Sequence, residues 1–302
     1  KNLTASITIH TNSENIGFGN SCNKGAELAK GKFLCFLNSD TIVTDNWSDH
    51  LINSFSLADN VGIAGSKLIY EDGSIQEAGG IVFSDGGAAN IGNKLQADNS
   101  WYKYYKDVDY VSGAALCLLK EDFNQLSGFD RIFSPAYYED TSLCLDVRHK
   151  LNKRVVVNPM SIVIHHEGAT NGKTINKGFK KYLTVNKEKF KEKHSLDLAN
   201  YSKDSTNLWW DRDKYIKGNI LIIDQCIPTP NEDSGSKDMD NIINALLQQN
   251  YRPHFFALSN RSETPGTYSY YEKGVHCIFG SENINFNDFY EKYNSLFSLV
   301  II

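Results

Sequence analysis

The feature that most constrains this chain is a series of short, continuous apolar runs that alternate with helix-forming segments. In the first two thirds of the chain, such runs cover residues 32–38, 61–70, 111–120, 154–159 and 161–166. Continuous apolar runs of this length are typical of strands that are buried on both faces of a sheet. Because they alternate with helical segments, they predict an α/β fold with a mixed, mostly parallel sheet.

Between these runs, apolar periodicity and capping residues predict the helices. They are expected at residues 21–30, 47–58, 121–127, 139–151 and 173–194, the first of them closed by Gly31. The alternation of residues 6–10 predicts one more strand. Residues 75–110 are rich in Gly, Asn and Asp and are expected to be irregular, with a strand only around residues 81–83.

A fresh α/β pattern begins near residue 219. Strands are expected at residues 219–225, 254–259, 275–279 and 298–302, with an amphipathic helix at 238–250. A chain of 302 residues is long for one hydrophobic core. We therefore predict two domains, residues 1–205 and a partial Rossmann-like domain at 206–302.

Bulk composition excludes several classes of protein. The net charge of −5 gives no basic footprint for nucleic acid. The six cysteines form no CxxC pair and mostly lie in apolar runs, which favours reduced thiols in a cytosolic protein. No apolar run reaches the roughly 18 residues of a membrane span, and no signal peptide opens the chain. Its two ends suggest an excerpt of a longer protein.

The run FLCFL ends at Asn38, Ser39 and Asp40. In open α/β sheets, ligands bind beyond the carboxyl ends of strands, and a carboxylate there can hold Mg²⁺ or Mn²⁺. An Asx-type turn is the alternative interpretation.

Glu139 and Asp140 begin a predicted helix, where either could cap the helix or act as a general base on a sugar hydroxyl.

His165 and His166 follow the last apolar run of the first region. Neighbouring side chains of a strand point to opposite faces, so only one imidazole can face a ligand. It could bind a metal ion or hydrogen-bond to the backbone.

The segment ENIGFGNSCNKG at 14–25 contains Gly17 and Gly19, which permit close approach of a ligand. Asn15 and Asn23 could bind a base or ribose, although the spacing is not that of a Walker loop.

Taken together and in this order, these motifs resemble family 2 glycosyltransferases with the GT-A fold. The matching segments are NIGFGNSCNKG at 15–25, FLNSDT at 36–41, VSGAAL at 111–116, GFDRIF at 128–133, YYEDTSLCLD at 137–146 and HHEGAT at 165–170. The resemblance covers about residues 6–195 and is strongest to the subgroup of bacterial rhamnosyltransferases and other cell-surface polysaccharide enzymes.

The resemblance implies an inverting transfer from a nucleoside-diphosphate sugar to a glycan or lipid-linked glycan, assisted by Mn²⁺ or Mg²⁺. The implied catalytic residues are Asp140 as base and Glu139 beside it; the implied metal ligands are Asp40 and His165 or His166. The implied donor-binding residues are Asn15, Gly17, Asn23, Asn38, Ser39 and Asp40, and the acceptor-binding residues are Gly113, Ala114 and Tyr138. Asn38 stands where a stricter DxD motif has an aspartate. The first nucleotide-binding strand of the family is expected to be missing here.

Residues 219–236 resemble the first βα unit of a GT-B, family 4 glycosyltransferase. The donor-binding half of such a domain would come later, so we assign no catalytic residues after residue 218. A generic Rossmann-like packing module is the alternative interpretation. The lysine-rich helix at 177–193 could touch anionic lipid at the inner face of the cell membrane, or it could be a solvated face. Two other functions remain open. One is a non-catalytic nucleotide-sugar or carbohydrate-binding module, and the other is a nucleotidyltransferase.

Overall fold

The structure is a computed structural model. It describes residues 6–166, 172–204, 212–259, 262–280 and 284–302, and over residues 172–180 it describes the backbone alone. Within these ranges, the α/β class and the two α/β regions are confirmed, each region with its own sheet.

The first sheet has seven strands. They are β1 (Phe33–Leu37), β2 (Thr41–Val43), β3 (Val61–Ile69), β4 (Ile75–Glu77), β7 (Lys106–Asp107), β8 (Ala115–Leu119) and β9 (Arg154–His165). Their order is β1-β8-β3-β9-β2, with β4 beside β3 and β7 beside β9. Two more strands, β5 (Gly80–Val82) and β6 (Ala88–Asn90), form a separate antiparallel pair.

Strand direction in the first sheet is more mixed than the sequence indicated. The pair β3–β9 is parallel, whereas β8 runs antiparallel to both of its neighbours, β1 and β3. The strands β2, β4 and β7 also pair antiparallel. The parallel pairing expected from the apolar runs is therefore found only between β3 and β9 among the described strands of this sheet, and throughout the second sheet described below.

The strand β9 unites two strands that the sequence predicted separately. Its register with β3 shifts between Ser66 and Lys67, where the partner changes from Asn158 to Ile162. The intervening residues, which include Pro159, bulge out of the ladder. Proline has no backbone N–H to donate, so a bulge is a favourable position for it.

Six helices accompany the first sheet. They are α1 (Phe18–Leu28), α2 (Trp47–Leu57), α3 (Lys120–Gln125), α4 (Glu139–Lys150), α5 (Gly172–Lys193) and α6 (Ser195–Leu198). The helix α1 begins earlier than predicted and ends at Leu28, with Ala29 rather than Gly31 as the capping residue. Among the described helices, none is both long and apolar enough to cross a membrane.

The strand predicted at residues 6–10 is not formed. This segment has no regular secondary structure, and Ile7 and Ile9 are 80% and 86% exposed. Among the described strands, none lies beside it to take up its backbone hydrogen bonds, so its β-branched residues alone do not make a strand.

Only some of the described side chains of α5 pack against the rest of the protein. Asn186 and Phe190 are fully buried, whereas Leu183 is 46% exposed. The side chain of Phe179 lies outside the described residues. Lysines at the other side bind protein carboxylates, with Lys187 Nζ 2.6 Å from an oxygen of Asp85.

The second sheet is parallel throughout. Its strands are β10 (Gly218–Asp224), β11 (Tyr251–Ala257), β12 (His276–Phe279) and β13 (Phe297–Ile301), in the order β12-β11-β10-β13. Helices α7 (Ser234–Gln248), α8 (Pro265–Lys273) and α9 (Phe286–Tyr293) connect them. Asp233 starts α7 earlier than predicted, because its side chain accepts a 2.7 Å hydrogen bond from the N–H of Ser236.

The predicted boundary at residues 205–206 coincides with residues 205–211, which lie outside the described ranges. The two sheets nevertheless share a core, since one cluster of buried apolar residues contains Leu116 and Val157 together with Leu221 and Phe256. The segment before β7 joins them directly. Tyr105 donates a 2.9 Å main-chain hydrogen bond to Tyr271.

A buried polar network lies beside this junction. Arg252 forms a salt bridge with Asp213, and both side chains are 6% exposed. His254 Nε2 lies 2.7 Å from the Asn219 amide oxygen, and its Nδ1 lies 2.9 Å from His276 Nδ1. Burial lowers the pKa of His254 to about 3, so both imidazoles of this chain of hydrogen bonds are neutral at pH 7.

Candidate active site

The polar turn after β1 lies where two strands of the first sheet end together. The main-chain N–H of Asn38 donates a 3.0 Å hydrogen bond to the carbonyl of Ala114, which continues the β1–β8 ladder by one residue. Ser39 is exposed, and the hydroxyl of Thr41 closes the turn with a 2.7 Å bond to the carbonyl of Asn38. A turn is present here, and it carries Asp40 to the edge of the sheet.

His165 lies against this turn because β2 pairs with the end of β9, with Thr41 opposite His165. Its Nε2 is 3.4 Å from a carboxylate oxygen of Asp40. Its Nδ1 is 2.8 Å from the side-chain oxygen of Gln76. When the imidazole is neutral, the hydrogen bond to the Gln76 oxygen places the ring proton on Nδ1. The lone pair is then on Nε2, the nitrogen that lies nearest Asp40.

His166 points elsewhere. Its Nδ1 pairs with a carboxylate oxygen of Glu71, and its main-chain N–H donates a 2.9 Å bond to the carbonyl of Asp40. Of the two histidines, His165 is therefore the one whose ring lies beside Asp40. The remainder of the HHEGAT segment, residues 167–170, is outside the described residues.

Asp40 and His165 suit a divalent cation, since a carboxylate and a neutral imidazole are both ligands of Mn²⁺. Within the described ranges, no group of three or more His, Cys, Asp or Glu side chains could enclose a metal ion. Two protein ligands are enough for a cation that shares its coordination shell with phosphate oxygens and water. The residues present therefore fit an ion held jointly with a nucleotide.

Asp140 lies in the first turn of α4, next to the residues that precede β8. One carboxylate oxygen accepts a 2.9 Å hydrogen bond from the N–H of Gly113, and the other accepts a 2.7 Å bond from the N–H of Thr141. The N-cap position itself is occupied by Tyr138, with no side-chain capping bond. A Cβ at position 113 would lie 2.9 Å from the ring of Phe18, so a larger residue there would require this ring to shift.

Two further carboxyl groups flank Asp140. Burial, and the charge of Asp140, raise the pKa of Glu139 to about 8. Burial likewise raises the pKa of Glu77 to about 8, although its oxygen accepts a 2.8 Å hydrogen bond from the N–H of Ser112. Both groups are therefore largely protonated at pH 7, and a protonated carboxyl cannot accept a proton.

The loop that leads into α4 is held in a strained conformation. Tyr137 and Tyr138 both have positive φ, at 76° and 73°, which is uncommon for bulky residues. The buried amide of Asn186 in α5 fixes this loop, with bonds of 2.7, 2.8 and 3.2 Å to the carbonyls of Phe133, Ala136 and Tyr137. The hydroxyl of Tyr138 donates a 2.9 Å bond to Gly86.

Three residues predicted to bind the donor have structural contacts within the protein. Gly17, at φ 82°, packs so closely that a Cβ would meet the carbonyl oxygen of Pro135 at 2.4 Å. Asn15 accepts a 3.0 Å bond from the N–H of Gly17. Asn23 bonds to both the N–H and the carbonyl of Phe129, at 2.8 Å each, and borders an open cavity of about 410 Å³.

The sequence did not identify Gln76, Glu77 or Ser112 as site residues. Gln76 and Glu77 lie in a stretch whose glycines and polar residues obscure the alternation typical of a strand, whereas Ser112 lies in the apolar run predicted at 111–120. The one signal for Gln76 and Glu77 is their position between two apolar residues, Ile75 and Ala78, which are both buried.

Comparison with known proteins supports the resemblance over the first part of the chain. Residues 2–114 match the sequence model described as Glycosyl transferase family 2. An uncharacterized protein, y4gI, from Sinorhizobium fredii (strain NBRC 101917 / NGR234) is 28% identical over 156 residues, which are 50% of this chain and 17% of that protein. The O-antigen biosynthesis protein RfbC of Myxococcus xanthus is 31% identical over 157 residues, which are 49% of this chain and 12% of that protein.

The chain thus spans less than a fifth of the length of these curated relatives. A crystal structure of GalNAc-T7 with UDP, GalNAc and Mn²⁺ is a structural neighbour at 18% identity and a TM-score of 0.42, covering 67% of this chain and 41% of the other. That likeness is too weak to carry an argument about the site. Over residues 2–114, the chain is similar to glycosyl transferase family 2.

Proposed function

We propose that the end of the first sheet bearing Asp40, His165 and Asp140 is the active site of a glycosyltransferase. It would move a sugar from a nucleoside-diphosphate sugar to a hydroxyl group of a glycan. The observation that carries this proposal is the main-chain bond between Asn38 and Ala114. It joins the turn containing Asp40 to Ala114, and the residue before Ala114, Gly113, donates its main-chain N–H to Asp140.

On the donor side, Asp40 and His165 would hold Mn²⁺ or Mg²⁺ together with the diphosphate. The cation, when bound, neutralises charge that develops on the departing diphosphate. Gln76 would orient His165 by accepting a hydrogen bond from its Nδ1–H, and Asn38 and Ser39 would present polar groups at the same strand end. Asn15, Gly17 and Asn23 would shape the neighbouring wall around the nucleotide.

On the acceptor side, Asp140 would take the proton of the acceptor hydroxyl. The hydroxyl oxygen then forms its bond to the anomeric carbon as the bond from that carbon to the diphosphate oxygen breaks. The nucleoside diphosphate leaves with the bonding electrons, and attack from the opposite face inverts the anomeric configuration. Glu139 keeps its proton at neutral pH and does not compete as base, while Ala114 and Tyr138 would line the acceptor side.

The wider setting is also part of this proposal. The acceptor would be a polysaccharide or lipid-linked glycan of a bacterial cell envelope, and the sugar a hexose or deoxyhexose; the similarity to an O-antigen biosynthesis protein supports the polysaccharide part of this proposal. The protein would work in the cytoplasm, at the inner face of the membrane. The parallel sheet of residues 218–301 supports a second domain that begins like a GT-B glycosyltransferase.

The decisive variant is Asp140→Asn, which keeps the shape of the side chain and removes its basicity. We expect turnover of the nucleotide sugar to fall about 10²- to 10⁴-fold, because this is the usual contribution of a general base. Binding of the nucleotide, measured by calorimetry, should survive. The exposed Asp49→Asn is the matched control and should leave turnover unchanged. Full activity in Asp140→Asn would refute the base assignment.

Products separate the proposed reaction from its competitors. Release of a nucleoside diphosphate supports glycosyl transfer, whereas release of pyrophosphate would indicate a nucleotidyltransferase. Binding of a nucleotide sugar without any turnover, in the full-length protein, would indicate a binding module. A thermal-shift screen of nucleotide sugars with and without Mn²⁺ would first identify the donor, because a ligand of the native state raises stability.

Membrane contact through α5 is tested separately by flotation with liposomes. Vesicles containing anionic lipid should carry the protein upward, while neutral vesicles should not. Equal behaviour with both would remove the membrane from the proposal.

A further inference from the structure

The two strands that meet at the candidate site also carry a pair of cysteines. Cys35 on β1 and Cys117 on β8 are directly opposite each other in the antiparallel register. Their Sγ atoms are 3.0 Å apart. Cys35 is exposed, Cys117 is buried, and both thiols are free. Neither has a part in the proposed transfer reaction.

The hydrogen bonds around this pair define its type. Asn38 and Ala114 are bonded at one end of the ladder at 3.0 Å, and Lys120 and Lys32 at the other at 2.9 Å. Bonded and non-bonded pairs alternate along an antiparallel ladder. Counting inward from either end makes Cys35 and Cys117 a non-hydrogen-bonded pair.

This pair type has the right spacing for a disulfide. Opposite residues of a non-hydrogen-bonded pair have Cα atoms about 4.5 Å apart, and disulfides span Cα distances of roughly 4.4–6.8 Å. The two cysteines can therefore be joined without moving either strand. The close approach of the two sulfur atoms agrees with this estimate.

We propose that Cys35 and Cys117 are a modification site, at which a small disulfide such as glutathione disulfide forms a reversible cross-strand disulfide. In the first step, the Cys35 thiolate attacks one sulfur of glutathione disulfide and releases one glutathione. In the second step, the Cys117 thiolate attacks the Cys35 sulfur and releases the other. Two protein thiols lose two electrons and two protons, and glutathione disulfide is reduced to two glutathione molecules.

The surroundings of the two thiols give them different roles. Cys35 is open to a bulky disulfide, whereas buried Cys117 can be reached only by its neighbour. The hydrogen bond with Cys117 lowers the pKa of Cys35, while that bond and burial raise the pKa of Cys117. Cys35 is accordingly the attacking thiol and Cys117 the resolving one.

The bond would tie together the two strand ends that hold the site. Cys35 lies three residues before Asn38 on β1, and Cys117 lies four residues after Gly113 on β8. Strand β1 is at the edge of the described sheet, where local opening is easiest. The oxidised pair would suppress this opening.

Mass spectrometry of the whole chain tests the proposal directly. The protein is equilibrated in mixtures of oxidised and reduced glutathione, its free thiols are trapped by alkylation in acid, and it is then digested. We expect a cross-linked peptide pair containing Cys35 and Cys117, a mass lower by two hydrogen atoms, and full reversal by dithiothreitol. Two fully alkylated thiols, or a lasting glutathione adduct on Cys35, would overturn the proposal.

Three variants give the proposal its internal controls. Cys117→Ser should stop at a glutathione adduct on Cys35, and Cys35→Ser should form no cross-link. Cys226→Ser changes another exposed thiol and should behave like the wild type. A cross-link that survives in Cys35→Ser would contradict the assignment.

Amide hydrogen exchange tests the effect on the strands without reference to activity. Oxidation should slow exchange of the Asn38 amide about tenfold or more, because the cross-link opposes opening of β1. The same treatment should leave Cys35→Ser unaltered. Unchanged exchange of the Asn38 amide in fully oxidised wild type would show that the disulfide does not suppress opening of β1, even if it forms.

Discussion

Two buried clusters of ionisable groups, one beside the second sheet and one at the end of the first sheet, are built in opposite ways. Beside the second sheet, Asp213 is matched by Arg252, and although burial opposes it, this pairing lowers the pKa of the carboxyl. At the end of the first sheet, Glu77 and Glu139 are buried, and no described cation is among the groups that set their pKa. Removing one partner of a buried pair leaves an uncompensated charge, whereas buried carboxyls with raised pKa values are a feature of candidate functional sites.

The largest effect on stability should come from breaking the buried ion pair between Arg252 and Asp213. Arg252→Met leaves Asp213 buried, with a guanidinium nitrogen of Arg212 3.8 Å from its carboxylate. We expect the free energy of unfolding to fall by about 3 kcal/mol, since removing one partner of a buried pair exposes the other to an apolar environment. Urea denaturation measures the loss. A loss below about 1 kcal/mol would show that this network contributes little.

The buried carboxyls at the end of the first sheet should instead make the free energy of unfolding depend on pH. The folded pKa of Glu77 is about 8, above its ordinary value near 4.5. Its contribution to stability is therefore fully present below pH 4.5 and is lost as the pH rises through about 8. The slope approaches about 1.4 kcal/mol per pH unit for one such group.

Glu77→Gln should flatten this part of the curve, because a neutral amide can still accept the bond from Ser112 and does not titrate. Denaturation midpoints between pH 5 and pH 9 measure it, with the exposed Glu121→Gln as control. An unchanged curve in Glu77→Gln would mean that this carboxyl is not the titrating group.

A smaller effect is expected on the affinity of the proposed donor site for Mn²⁺. Gln76→Met removes the acceptor of the His165 Nδ1 proton while keeping side-chain length. We expect affinity for Mn²⁺, measured by calorimetry with a nucleoside diphosphate present, to weaken about 10- to 100-fold, as for other residues that orient a metal ligand. Gln248→Met, at an exposed position, should have no effect. Equal affinities would argue against His165 as a ligand.

The smallest effect is expected at a surface ion pair of the second region. Lys273 is 37% exposed and lies 3.0 Å from a carboxylate oxygen of Asp240. Lys273→Met should change the free energy of unfolding by less than about 1 kcal/mol, because water already solvates much of this pair. A loss comparable to that of Arg252→Met would remove the distinction between buried and exposed pairs.

Local sequence patterns predicted elements that depend on neighbours close in the chain. The helices at 47–58 and 139–151 and the strand at 61–70 agree with the structure to within one residue. The apolar run at 111–120 forms a strand only from Ala115. Its first residues depart from the ladder because the N–H groups of Ser112 and Gly113 bond to Glu77 and Asp140.

Long-range pairing accounts for what the sequence could not supply. The two candidate histidines are equivalent by pattern, and only the register of β2 with β9 turns His165 rather than His166 toward Asp40. Gln76 reaches His165 from β4, far away in the chain. No local periodicity records such contacts.

The amide of Asn186 has a consequence for how parts of this molecule can be exchanged. It holds three carbonyl groups of the loop before α4, yet it belongs to a helix that begins well after the last strand of the first sheet. A chimera that takes the loop and α4 from one relative and α5 from another would separate the two halves of a single clamp. A segment that is moved between relatives should therefore include the loop, α4 and α5 together, because hydrogen bonds from Asn186 connect them.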